Sequence, residues 1–273
     1  MSDISTTLKA IGIASPLKKV LTLCDGAPLL AVSATSDDAI DVWLTLREAH
    51  DRLQHWPVIL GGPGELDFHK ETQEFLAQNY KESKDKPLGK SGVEWFEYRR
   101  SAEYWSDRMA PMVANLKSKG AEIPNFMLEK KEPIVRKAPG LPSEDYSPND
   151  EFIAHSRDEF EGDVSIALLP ITHGWEAAPL LNFGSWNNCP EPAVHAAVHQ
   201  YWFEQYGAEV VTITHDTIEM RVSRPPLLWD QAFALAEDQE LYAEFDQMGG
   251  GLNTTRGLAA SLLESTVWHF WWD

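Results

Sequence analysis

His195 and His199 lie four residues apart, and a helix would place both imidazoles on one face, within reach of a single zinc ion. His215 and Asp216 are the candidates to complete that ligand set, which would make a small metal-dependent hydrolase with zinc as its cofactor. The pattern lacks the glutamate that follows the first histidine in metalloproteases, and its spacing leaves the third ligand to the fold. A purely structural reading serves the same histidines, one on a polar helix face and the other in a structural hydrogen bond. Cys189 stands six residues before His195, so a cysteine–histidine nucleophilic pair is a second chemistry, set against a buried structural thiol. Trp186 and Asn187, in the same run, are candidates for binding.

Three further groups deserve weighing. Asp216, Glu219, Arg221 and Arg224 fall in and around one expected hairpin. Alternation puts Glu219 and Arg221 on the same face, either as an arginine-held carboxylate for acid–base work or as an ion-paired outer surface. In the tail Trp268-His-Phe-Trp-Trp-Asp273, one side of a strand would carry Trp268, Phe270 and Trp272 and the other His269, Trp271 and Asp273. That pattern fits an interior strand or an aromatic platform for a ligand, with Trp271 and Asp273 as its binding groups. Gly61-Gly-Pro-Gly64 follows a strand as a phosphate loop does, but it lacks the Lys-Ser/Thr grip and reads as a turn.

The elements that must position these residues follow from periodicity. Val20–Leu23 and Leu29–Ala34 read as a hairpin around an Asp-Gly turn, which also argues against a signal peptide in this apolar stretch. A helix runs from Ser36 to about Gln54, and Val58–Leu60 forms a short buried strand. Residues of about 68–120 make an insert of amphipathic helices, split near Pro87-Leu-Gly89. Prolines and charge dominate 130–163, the expected linker between a region 1–129 and a domain 164–273. In that domain the order is strand Val164–Leu169, helix from Pro192 to Gly207, and strands Glu209–Thr214 and Thr217–Ser223. A helix from about Asp230 to Tyr242, a short helix over Leu258–Leu263 and a strand Val267–Trp272 complete it. The fold class is α+β: a mixed sheet with helices packed on it, in two sub-domains joined by the Pro-rich linker.

The chain has 273 residues and a net charge of −19, which excludes a nucleic-acid binder and an anionic-membrane binder. The charge is uneven. Residues 1–150 hold 19 Lys+Arg against 23 Asp+Glu, whereas residues 151–273 hold 4 against 19, a net of −15. Two cysteines, Cys24 and Cys189, exclude a disulfide framework and a thiolate zinc site, so a reducing, cytoplasmic location is expected. Eleven tryptophans serve a rigid core or a binding surface equally.

The segments Phe183-Gly-Ser-Trp-Asn-Asn-Cys-Pro190, Tyr206-Gly-Ala-Glu209, His215-Asp-Thr-Ile-Glu219, Arg224-Pro-Pro226 and Phe270-Trp-Trp-Asp273 together resemble a bacterial family, the domain of unknown function 4253. The resemblance spans about residues 164–273, with a fainter similarity over Asp41–Leu60. It departs at Tyr242-Ala243-Glu244, where the family pattern has a cysteine after the aromatic residue, so a role of that cysteine could not operate here. The family implies a domain and no activity. From charge, tryptophan and the lack of a complete catalytic set, the expected function is an acidic intracellular binding protein, such as an immunity-type inhibitor of a basic, nuclease-like toxin. The alternative is the metal-dependent hydrolase built on His195, His199, His215 and Asp216.

Overall fold

Apolar runs bounded by turn residues become strands, and the computed structural model joins all of them in one mixed sheet in the order β1-β2-β4-β3-β5-β6-β7. The structure describes residues 4–23, 26–79, 90–120, 122–123, 147–156, 163–243 and 254–272. Strands β1 (Lys18–Thr22) and β2 (Pro28–Ala34) make the expected antiparallel hairpin. Strand β4 (Val164–Leu169) lies between β2 and β3 (Trp56–Gly61), antiparallel to both. Strand β3 then runs parallel to β5 (Ala208–Ile213), which is followed antiparallel by β6 (Thr217–Val222) and β7 (Val267–Trp271).

The sheet corrects one expectation about organisation. The boundary at 130–163 divides the chain but not the sheet, because β4 of the second part pairs with β2 and β3 of the first. The physical reason is that every residue of Val164–Leu169 is buried. A strand so apolar needs neighbours on both edges and cover on both faces, and residues 1–129 provide the flanking strands. Most of the Pro-rich stretch itself, like the Pro87-Leu-Gly89 split, lies outside the described residues.

Helices cover both faces. On one face, α1 (Ile4–Ala10), α2 (Ala39–Glu48) and α3 (His50–Leu53) pack through Leu8, Trp43, Leu46 and Leu53 against Val32, Ile59, Ile166 and Val211. The other face carries α4 (Pro63–Asn79), α5 (Gly92–Arg100), which runs into α6 (Ala102–Ser118), and then α7 (Ala177–Leu181), α8 (Pro192–Tyr206), α9 (Trp229–Ala243) and α10 (Thr255–Leu262). The Gly61–Gly64 turn launches α4 directly, since Pro63 suits the first helical position, where its missing N–H costs nothing. No helix of the described residues is long and apolar enough to cross a membrane.

The tail is buried as expected, but not as an interior strand. Among the described residues, strand β7 pairs with β6 alone and closes the sheet edge. Trp268, Phe270 and Trp272 are at most 1% exposed, packed under α8 and α9, with Phe270 stacked on Trp202 at 5.4 Å. The outer face is covered by residues 147–156 rather than by another helix. Asn149 accepts from the Thr266 and Val267 amides, and Ile153 and Ala154 donate to the Glu219 carboxylate. An edge strand wrapped in this way carries aromatics on both sides, fully buried inward and half-buried outward, which is the pattern that reads as an interior strand in sequence.

Candidate functional site

Helix α8 places His195 and His199 one turn apart, facing inward and fully buried. Tyr242, near the end of α9, projects its hydroxyl between them: 2.5 Å from His195 Nδ1 and 2.8 Å from His199 Nε2. On the far side of His195, Nε2 lies 3.5 Å from Cys189 Sγ and faces the Pro190 carbonyl. The four polar groups therefore form one chain, Cys189–His195–Tyr242–His199, walled by Phe183, Trp202, Phe270 and Trp272. Cys189 and Tyr242 also line a cleft of about 400 Å³ with Trp95, Arg99, Asn188 and Leu241.

The aromatic surroundings keep this chain neutral. Burial pushes the Cys189 thiol and the Tyr242 phenol well above their ordinary values. Burial also drives His195 well below the usual imidazole range, and lowers His199 to about 3. Tyr242 has one hydroxyl proton to share between two imidazole nitrogens, so one histidine must donate to it while the other accepts. The chain can thus run in two senses. In one, His199 Nε2–H donates to Tyr242, which donates to His195 Nδ1, leaving His195 Nε2–H to meet the Pro190 carbonyl. This is the resting sense, because His199 Nδ1 has no hydrogen-bond partner among the described residues and is better buried as a bare lone pair than as an N–H.

The loop before Cys189 is built for close approach. Gly184, at a φ of +109°, lies so near His195 that a Cβ there would sit 2.9 Å from Nε2 and 2.0 Å from the Pro190 carbonyl oxygen. Gly184→Ala is expected to destabilise the fold by about 3 kcal/mol, combining the left-handed backbone with an overpacked contact. Urea unfolding of the variant checks this; a loss under about 1 kcal/mol would mean that the loop yields and does not hold the imidazole.

His215 and Asp216 are bound elsewhere. His215 Nδ1 lies 2.7 Å from Glu65 Oε2 on α4, its ring stacks on Phe68 with centroids 4.5 Å apart, and its amide donates to the same carboxylate. Asp216 accepts from Thr217 Oγ1 at 2.7 Å and from the Trp271 indole at 2.7 Å. Among the described residues, no group of three or more His, Cys, Asp or Glu side chains is placed to hold a metal ion. The zinc reading of His195, His199, His215 and Asp216 is thereby corrected: a phenol occupies the space between the first two, and Glu65 engages the third.

The charged hairpin also differs from expectation. Glu219 is fully buried, and its partner is His269, directly opposite on β7 at 3.2 Å. Burial raises the Glu219 carboxyl, but hydrogen bonds from His269, Ile153 and Ala154 together outweigh it and hold the group below the usual carboxylate range. Arg221 is exposed at the other end of β6. Arg224 donates to the Phe203 and Glu204 carbonyls, both at 2.9 Å, so it caps the C-terminal end of α8. Trp186 is half-buried, edge-on to Phe183 at 4.8 Å, and Asn187 is an exposed residue of the cleft at a φ of +45°. Asp273 lies outside the described residues.

Sequence reasoning missed Tyr242 and Glu65 as site residues. Glu65 carried a faint signal, as an acid in the first turn of a proline-started helix; Tyr242 stood out only as the aromatic residue of the family pattern, and nothing tied it to His195, 47 residues away. No curated protein and no solved structure matches the chain. Residues 165–273 match the model of the family Domain of unknown function (DUF4253), over the same part of the chain that carries the sequence resemblance.

Proposed function

We propose that the protein is an acidic binding protein whose partner is a basic protein, of the kind that an immunity inhibitor neutralises. The observation that carries this reading is how the acids of residues 151–273 are distributed. Its inward-facing acids already have partners: Glu209 pairs with Arg47 and Asp238 with Arg100, both arginines coming from the first part of the chain, and Glu219 is held by His269. Glu151, Glu191, Glu204, Asp230 and Glu264 are exposed instead. Of the few cations in this part, Arg224 is committed to the end of α8. An outward field of one sign speeds the encounter with an oppositely charged protein and makes association sensitive to salt.

The test is a pull-down from the native host at low and at moderate ionic strength, followed by association kinetics with the protein recovered. A basic partner is expected whose on-rate falls as salt rises, and falls by about tenfold in the double variant Glu191→Lys, Glu204→Lys. Recovery of no basic protein at either ionic strength, or an on-rate indifferent to salt, would sink the reading.

A further inference from the structure

We infer that Cys189 is the nucleophile of an acyl-transfer site that opens into the cleft beside α8, with His195 as its base, and that the substrate is an ester or thioester with an apolar acyl group. The inference is independent of the binding proposal. It starts from geometry: the thiol and the imidazole Nε2 are 3.5 Å apart, and the imidazole is oriented through its other nitrogen by Tyr242, itself engaged by His199. A nucleophile, a base in reach of it and a third group aligning the base form the arrangement that activates a weakly acidic nucleophile. Cys189 and Tyr242 are both among the residues that line the cleft, so a ligand in the cleft would lie beside the buried thiol.

The surroundings select the substrate class. Cys189 lies three residues before the 15-residue helix α8, whose N-terminal end carries partial positive charge where an attacked carbonyl would become an oxyanion. The Asn187 and Asn188 side chains line the same wall, while Trp95, Val194 and Leu241 offer an apolar surface for the acyl chain. In the reactive sense the hydrogen-bond chain runs outward to inward: Cys189 S–H to His195 Nε2, His195 Nδ1–H to Tyr242 Oη, and Tyr242 O–H to His199 Nε2.

Sγ then bonds to the carbonyl carbon as its proton passes to His195 Nε2. The bond from the carbonyl carbon to the alkoxy oxygen, or to the sulfur of a thioester, breaks, His195 gives the proton to the departing alcohol or thiol, and Cys189 is left S-acylated. Water, losing a proton to His195, bonds to the acyl carbon; the carbon–sulfur bond breaks, the carboxylic acid leaves, and His195 returns the proton to Sγ. Because the resting sense has the protons reversed, Tyr242 and His199 are positioning residues that govern how readily His195 becomes a base.

The experiment uses the full chain and p-nitrophenyl butyrate. Native protein is expected to release a burst of one equivalent of p-nitrophenolate, and to gain one butyryl group that peptide mapping assigns to Cys189. Cys189→Ala abolishes the burst. His195→Asn slows it by about 100-fold, and Tyr242→Phe slows it while changing its pH profile, with near-ultraviolet dichroism confirming that each variant is folded. The inference is overturned if native wild-type protein acylates no faster than free cysteine, if Cys189 acylates only after unfolding in urea, or if folded His195→Asn reacts at the wild-type rate.

Discussion

A chain that ends at Val267 is expected not to hold its fold. Removing residues 268–273 takes away Trp268, Phe270 and Trp272, all at most 1% exposed, and with them the pairing partner of β6. Truncating a buried Phe or Trp costs about 3 to 5 kcal/mol, so three together remove roughly 9 to 15 kcal/mol, against a whole stability of about 5 to 15 kcal/mol. Phe270 and Trp272 also pack on Tyr242, at 5.1 and 5.5 Å between centroids, so the polar chain loses its wall at the same time. Glu219, the carboxylate to which Ile153 and Ala154 donate, loses its partner His269 as well. Far-ultraviolet dichroism and thermal melts of residues 1–267 against full length will decide. A shared melting temperature would show that the tail contributes nothing to the core.

The second large effect is loss of stability in acid. His69, His195 and His199 are buried; burial lowers His69 to about 4 and His199 to about 3, and holds His195 well below the usual range. In the unfolded chain each titrates near 6.5. Between these values the unfolded state binds protons that the folded state refuses, so stability is unaffected above pH 6.5 and falls as pH drops below it. Each histidine costs about 1.4 kcal/mol per pH unit, about 4 kcal/mol per unit for the three, and roughly 8 kcal/mol at pH 4.5. Relief of the repulsion within a chain of net charge −19 offsets part of this. Urea unfolding at pH 7.5, 6.5, 5.5 and 4.5 measures the slope. A free energy that stays flat down to pH 5 would mean that these imidazoles take up protons without unfolding, and the neutral chain around Tyr242 would be wrong.

Local pattern was a reliable guide wherever one element sufficed. The helix over Pro192–Tyr206, with proline at its start and Gly207 after its end, follows from the periodicity of Val194, Val198 and Trp202 and from the left-handed φ of +60° that Gly207 adopts. The same periodicity put His195 and His199 on one face. The alternation of Ile218, Met220 and Val222 with Glu219 and Arg221 located β6 and its faces. It also made Arg221 the natural partner for Glu219, because neighbours along a strand can be seen in sequence while neighbours across it cannot.

What the amino-acid sequence determined by itself was therefore most of the elements, though not the short helices α1 and α7, together with their inward faces and the α+β class, since each depends on interactions within a few residues. Tertiary structure alone decided the rest. Register placed His269 opposite Glu219, and the packing of α9 on α8 brought the Tyr242 hydroxyl between two imidazoles where spacing allowed a metal. Sheet order put β4 among the strands of the first part and β7 at an edge. Such choices rest on contacts between residues tens to more than a hundred positions apart, and nothing in the spacing along the chain records which distant apolar face or polar group will be met.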